Sequence, residues 1–376
     1  MSKLVSKGMG LYIHIPFCMS KCVYCDFLSF EGTDADLQAR YVRALIAEMR
    51  ALHSELDAEV DTVYLGGGTP TALPSPLLCE ILNETRHFNL LPGVEVTLEM
   101  NPCTSLVALA DFAACGVNRL SIGLQAWQDS FLAALGRAHT SDEFTETMQA
   151  ARAAGIDNIN VDLMFGLPGQ DLGHWRESVM QVISHNPTHV SAYSLTPAEG
   201  TPLWGELEAG RTVLPHDDVD RAMYHEAIRM LAAAGYEHYE LSNFAKPGRE
   251  SRHNVNCWLR KPYIGLGLGA HSFDGGRRWC NTPDMRRYLS AIALREDIEV
   301  LSTSDAMAET MILGLRMTKG VSLHDFHKSF GVHLTDCYGS ELEMLISRGL
   351  LQKSADRVAL TPLGLDLANQ VFEAFL

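Results

Sequence analysis

The sequence predicts an α/β protein: an incomplete (β/α)6-type barrel, then a linking segment, then a small winged-helix-like α+β domain. Two observations carry this expectation. Over the first 245 or so residues, short β-branched runs alternate with helix-period segments, and that rhythm demands a parallel sheet because each helical crossover must cover a sheet face. The residues least expected of an apolar strand, namely cysteines, consecutive glycines and isolated acids or amides, fall just where these runs end. In parallel barrels that is the end at which reacting groups gather.

Strands are expected at 10–15, 62–65, 94–99, 119–124, 158–164 and 189–194, with 236–240 as a candidate seventh. Between them, apolar residues recur at helical spacing over 36–56, 105–115, 142–154, 175–184 and 216–234, the pattern of helices with one buried face. From about Ser304 the rhythm changes to helical segments at 304–316, 322–330 and 334–348, a β-like pair at 351–352 and 357–360, and a last helix over 362–375. The expected division is therefore 1–245 for the core, 246–303 for the link and 304–376 for the C-terminal module, with the stretch from Gly235 to Leu301 expected to join that module to the barrel and to cover the barrel mouth. A length of 376 residues suits one large and one small unit better than a single core.

Charge and cysteine usage exclude several classes of function. A net charge of −16 is unfavourable for a phosphate backbone or an anionic membrane surface. The would-be recognition helix of the C-terminal module sets Asp336, Glu341 and Glu343 against a single Arg348, so the module is expected to be a lid or interaction domain rather than a nucleic-acid reader. No apolar run approaches the ~20 residues of a transmembrane helix. Nine cysteines at irregular spacing, with no secretory leader in view, point to a reducing cytoplasm rather than a disulfide framework. On this reading Cys79, Cys103, Cys115, Cys280 and Cys337 are buried or inert thiols.

Three other cysteines stand apart. Cys18-Met-Ser-Lys-Cys22-Val-Tyr-Cys25 comes directly after the first strand. A cubane iron–sulfur cluster normally takes four thiolates, so three on one short loop leave an iron open to a small molecule. A zinc site that recruits His14 as fourth ligand is the alternative. After the second strand come Gly66, Gly67, Gly68, Thr69 and Pro70; without the spacing of a dinucleotide fingerprint, they suit a tight turn or a cradle for a polar headgroup. The next three strands deliver Glu99 (with Asn101-Pro102), Gln125 and Asp162, and Arg137 lies just beyond the fourth. Polar groups converging on one barrel mouth mark a binding pocket, since unpaired they would be costly.

Taken together, C-x3-C-x2-C, Gly-Gly-Gly-Thr-Pro and Glu-x-Asn-Pro resemble the radical S-adenosylmethionine proteins. More narrowly, the chain is similar from end to end to the branch that holds oxygen-independent coproporphyrinogen III dehydrogenases and haem chaperones. The resemblance implies a radical SAM barrel in which Cys18, Cys22 and Cys25 ligate a [4Fe–4S] cluster whose open iron chelates S-adenosylmethionine. It further implies Tyr12, Tyr24 and Phe27 around the cluster and adenine, and Gly67, Gly68 and Thr69 around the methionine headgroup. Glu99, Gln125, Arg137 and Asp162 complete that pocket, with Arg137 suited to the carboxylate.

The two branches part just after the third cysteine. Dehydrogenases look like C-x3-C-x2-C-x-C, whereas Phe27 occupies the last position here, and only 17 residues precede Cys18 where the dehydrogenases carry a longer extension. Both features favour the chaperone branch. Its second signature looks like H-N-x-x-Y-W; this chain has His253, Asn254 and Trp258, with Cys257 at the usual tyrosine. The resemblance makes His253 a haem-site residue, with Cys257 also able to bind iron. The implied function is to hold haem as cargo and pass it to apo-haemoproteins such as respiratory enzymes, in the cytoplasm, with a homodimer allowed. The alternative is radical decarboxylation of coproporphyrinogen III.

Overall fold

The computed structural model describes residues 8–102, 106–291 and 294–376. Its first strand, β1 (Met9–Ile15), shows how the core is organised. Leu11, Ile13 and Ile15 are fully buried on one face, while Gly10, Tyr12 and His14 alternate onto the other, as the two-residue period of a strand requires. The same alternation runs through β2 (Val60–Gly67), β3 (Leu90–Met100), β4 (Arg119–Gln125), β5 (Asn158–Phe165) and β6 (His189–Ser194). Parallel ladders join them in chain order, in registers such as Ile13↔Leu65, Leu65↔Leu98 and Val161↔Val190.

Helices α1 (Ala35–Glu55), α2 (Ser75–Thr85), α3 (Ala108–Ala114), α4 (Ser141–Ala153), α5 (Leu172–Ser184) and α6 (Asp217–Ala233) cover the outer face. Their starts are set by local chemistry. Asp34 accepts a 2.7 Å hydrogen bond from Leu37 N at the head of α1, and Thr140 and Glu143 form a reciprocal capping box on α4. Tyr41, Leu45 and Met49 of α1 and Trp175, Val179 and Val182 of α5 join Val63, Leu98, Ile122 and Val161 in one apolar cluster. Burying about 1.5–3 kcal/mol of apolar side chain per residue there holds the helices to the strands.

The chain beyond β6 departs from two expectations. The candidate seventh strand exists as β7 (Glu237–Glu240), but β8 (Asn243–Ala245) lies between it and β6, antiparallel to both. The connection is too short for a helical crossover, so the chain reverses. The described residues of 246–303 extend the sheet beside β1 instead of covering the barrel mouth. They form α7 (Arg252–Trp258) and strands β9 (Tyr263–Leu266), β10 (His271–Phe273), β11 (Arg277–Asn281) and β12 (Arg295–Val300). β9 pairs in parallel with the free edge of β1 through Gly10↔Tyr263, giving a twelve-stranded sheet of order β12-β11-β10-β9-β1-β2-β3-β4-β5-β6-β8-β7.

The C-terminal module contains α8 (Thr303–Gly314), β13 (Val321–Ser322), α9 (Leu323–Phe330), α10 (Leu334–Ser347), β14 (Leu351–Lys353) and β15 (Arg357–Leu360). Met311, Leu315, Phe326, Leu345, Val358 and Val371 make a second apolar core. The last helix divides at Leu367 into Pro362–Asp366 and Ala368–Glu373. Ion pairs Arg221–Asp366 (3.1 Å) and Arg260–Glu309 (2.7 Å) tie this module to the barrel. Among the described residues, no helix is long and apolar enough to cross a membrane. Cys103 lies outside the described residues.

Candidate functional site

All three loop cysteines lie at the C-terminal end of β1 and are partly exposed. Burial pushes the Cys18 and Cys25 thiols up, so taking up a metal there means releasing protons. Cys18 Sγ is 3.8 Å from Thr69 Oγ1, and Arg137 Nη1 points a donor at Cys22 Sγ, also at 3.8 Å. His14 is not available to them: its Nε2 bonds Leu28 O at 2.9 Å and its Nδ1 bonds Tyr12 Oη at 3.0 Å. Among the described residues, no three His, Cys, Asp or Glu side chains converge on a point for a single ion. A Cys3His zinc site would have to break both His14 bonds, whereas a cubane can take the three thiolates without that imidazole.

The glycine loop is shaped by its own chain. A Cβ on Gly68 would lie 2.7 Å from Phe17 O and 2.9 Å from Cys18 Sγ, and one on Gly67, at φ +119°, 2.6 Å from the His14 ring. A larger residue at Gly67 would have to displace the His14 ring, and one at Gly68 the Phe17 carbonyl and the Cys18 side chain. Both glycines face a cavity of about 510 Å³ that opens beside the cysteines and runs down the barrel axis. Cys18, Cys22, Cys25, Tyr24, Phe27, Thr69, Glu99, Gln125, Arg137 and Asp162 line it too. Charged groups of both signs line it, an arrangement suited to a zwitterionic ligand.

Charge inside the cavity is held in place by hydrogen bonds. Arg137 Nη2 donates to Asn101 Oδ1 at 2.7 Å and also to Gly123 O, so its guanidinium is fixed at the wall. Gln125, at φ +71°, sits where the β4–β5 register slips, and its Oε1 accepts from Tyr193 Oη at 3.0 Å. Such a bulge turns a side chain toward the site. Glu99 accepts from Tyr64 Oη at 2.6 Å and from Gly67 N at 3.2 Å, yet burial raises its pKa to about 7. Burial also raises Asp162, against hydrogen bonds from Asn160 (2.8 Å) and Ser121 (3.2 Å). Both acids are poised to gain from a cation.

One residue expected around the cavity, Tyr12, is absent from its wall, and His253, expected at a separate haem site, lies at the other end of the barrel. Tyr12 lies behind the wall, bonded to His14 and stacked on Tyr64 at 6.2 Å between centroids. His253 belongs to α7, not to an open loop. That helix closes the N-terminal ends of the strands: Arg252 N and His253 N donate to Glu95, and Asn256 donates to Asp61 at 3.0 Å. The His253 ring is 7% exposed, bonds Thr62 Oγ1 through Nδ1 at 3.0 Å and stacks on Tyr64 at 5.0 Å. Desolvation holds its pKa down near 4. Trp258 packs with Tyr239 and Met317, under the Arg316 guanidinium at 4.2 Å. Neither side chain presents a free face to a macrocycle.

Tyr64, Arg119, Ser121, Asn160, Ser191 and Tyr193 line the cavity as well, although sequence motifs do not single them out. The available signal is alternation. Polar residues at 119, 121 and 125, and at 160 and 162, share the face opposite the apolar positions 120, 122, 124, 159, 161 and 163.

The profile of the radical SAM superfamily matches residues 12–182, and that of the HemN C-terminal domain matches residues 301–367. The heme chaperone HemW of Bacillus subtilis is 36% identical over 374 residues, covering 97% of this chain and 98% of that protein. HemW of Escherichia coli is 34% identical, covering 98% of both. The mouse mitochondrial radical S-adenosyl methionine domain-containing protein 1 is 34% identical across 92% of this chain and 82% of its own. Among solved structures, the coproporphyrinogen III oxidase HemN of Escherichia coli superposes with a TM-score of 0.85 at 21% identity, over 98% of this chain and 90% of that one; at this identity the likeness is one of fold.

Proposed function

The chain belongs to the HemW family within the radical SAM superfamily, and from that membership we propose that it is a haem chaperone, binding haem and passing it to apo-haemoproteins. The observation that carries this reading is similarity to curated haem chaperones across both the barrel and the C-terminal module, 98% of each chain in one case. Haem is cargo in this reading, and the cysteine pocket is a separate cofactor site.

Cys18, Cys22 and Cys25 are proposed to hold a [4Fe–4S] cluster, and the 510 Å³ cavity to hold S-adenosylmethionine. When bound, the cluster supplies one iron free to chelate the amino and carboxylate groups of that ligand. The chain's own groups do the rest. Arg137, held by Asn101, presents a charge that cannot swing away from a carboxylate. Glu99 and Asp162 stand ready for an ammonium or for ribose hydroxyls, and a cation beside Glu99 would keep that carboxylate ionised. Tyr24 and Phe27 lie on the open rim, where an adenine ring can stack. Axial ligation of haem by His253 would require α7 to part from the strands, because Thr62 and Tyr64 hold its ring.

The test is to reconstitute the protein anaerobically and measure haem transfer to an apo-haemoprotein beside coproporphyrinogen III consumption. Transfer without porphyrinogen turnover is expected. Many turnovers by a protein that binds no haem would overturn the reading in favour of the dehydrogenase.

A further inference from the structure

The deep end of the 510 Å³ cavity holds a cation that the cofactor pocket leaves unused. Arg119 is the first residue of β4 and lines the cavity, yet it is only 2% exposed. Its Nε is shut off and has no hydrogen-bond partner. Nη1 and Nη2 also donate to no protein acceptor among the described residues, but they are not shut off, so this end of the guanidinium is the part that meets the cavity. A buried charge without a partner is costly, which makes an open guanidinium here a site that a ligand can satisfy.

The neighbouring groups do not supply the missing anion. Glu99 gives its two oxygens to Tyr64 Oη and Gly67 N, and Asp162 gives its own to Asn160 and Ser121. Asn160 Oδ1 is taken by His189 Nδ1 at 2.6 Å and by Ser191 Oγ at 3.2 Å. His189 and His253 are kept neutral, by burial first and by the Arg119 charge second. Nor does the carboxylate of S-adenosylmethionine reach this floor. Arg119 and Gln125 stand at opposite ends of β4, about 20 Å apart along the strand, and Arg137, which donates to Gly123 O, belongs to the Gln125 end.

We propose that the floor of the barrel is a second ligand site, at which Arg119 receives the carboxylate of a small monocarboxylate beneath the cofactor. The proposal rests on the upper cavity being the S-adenosylmethionine site and adds to it a separate, anionic ligand. A planar carboxylate matches the two outward nitrogens of a guanidinium as a fork. A monovalent anion fits better than a phosphate, because Glu99 and Asp162 line the same space and would repel a second negative charge. An anion bound to the folded chain alone must also stabilise it in proportion to its occupancy.

The experiment is urea unfolding of the anaerobically reconstituted full chain in sodium acetate and in sodium chloride of equal ionic strength, with and without saturating S-adenosylmethionine. Parent, Arg119→Met and Arg119→Lys are compared, so that binding at Arg119 is separated from a general salt effect. Acetate should raise the parent's midpoint above its value in chloride whether or not S-adenosylmethionine is present, and should leave Arg119→Met unmoved. Arg119→Lys, which lacks the fork, should bind acetate about tenfold more weakly. In chloride, Arg119→Met should be at least as stable as the parent, since it removes an unpaired charge. A parent that acetate stabilises no more than chloride, or an equal acetate effect in the parent and both variants, would overturn the site. So would an acetate effect abolished by S-adenosylmethionine, which would put the anion at Arg137, or an Arg119→Met chain far less stable than the parent, which would make the guanidinium a structural strut. A parent that responds to acetate through Arg119 but binds no S-adenosylmethionine would keep this site and overturn the cofactor assignment.

Discussion

Tyr64 Oη donates a 2.6 Å hydrogen bond to Glu99 Oε1, and the ring of the same tyrosine stacks against His253 at 5.0 Å. One side chain thus links the buried acid of the 510 Å³ cavity to the helix that closes the other end of the barrel. The hydrogen bond fixes the orientation of the buried Glu99 carboxyl. It also sets up the first prediction.

Glu99 has its pKa raised by burial to about 7 from an ordinary 4.5. Between those values the folded protein binds more protons than the unfolded chain, so this group costs stability as pH rises, at most about 3 kcal/mol above pH 7. Glu99→Gln removes the effect. Denaturant unfolding of variant and parent should therefore diverge in the variant's favour from pH 4.5 to 7 and run parallel above it. A pH-independent difference would show that Glu99 does not titrate in this window.

Replacing Cys18, Cys22 or Cys25 by alanine should abolish bound iron and acid-labile sulfide, whereas Cys79→Ala and Cys337→Ala should not. The last two lie away from the cavity, Cys337 on the surface. Metal and sulfide analysis of anaerobically purified protein decides it. Stoichiometric zinc without sulfide in the parent would contradict the cluster.

Arg137→Ala and Asp162→Asn should each weaken S-adenosylmethionine binding roughly tenfold to hundredfold, the effect of one lost charge-assisted hydrogen bond. Iron content should persist, because Arg137 reaches Cys22 only as a donor to its sulfur. Calorimetry on the reconstituted protein is the measurement. Unchanged affinity in both variants would place the ligand elsewhere.

His253→Ala should destabilise the protein by about 2–3 kcal/mol, since it removes a buried ring and leaves Thr62 Oγ1 without its partner. The haem spectrum should stay as in the parent. A changed Soret band with unchanged stability would instead return the imidazole to the haem site.

Much of the architecture is legible in the chain, and the errors have specific causes. Strand positions 119–124 and 189–194 stand out because polar and apolar residues alternate along them, a signal contained within one element. Helix α2 has no such clarity: Pro74 and Pro76 flank its start and hide its period. Segment 252–258 reads as a loop because seven residues are too few for periodicity to register; its helix is fixed by the Ser251 cap and by Glu95 receiving two of its first backbone amides.

What the sequence by itself determined is the set of local instructions: the parallel rhythm, the cysteine spacing, the three consecutive glycines, and the polar residues that end each strand. These arise from periods of two and 3.6 residues and from steric limits, which act over a few residues. Only the tertiary structure decided that residues 246–303 extend the sheet beside β1 rather than cover its mouth, that His253 faces Thr62 and Tyr64 while Cys257 faces a cleft, and that Arg260 meets Glu309 from another module. Those outcomes depend on which surfaces bury the most apolar area and satisfy the most buried donors across long stretches of chain. No local pattern encodes that competition.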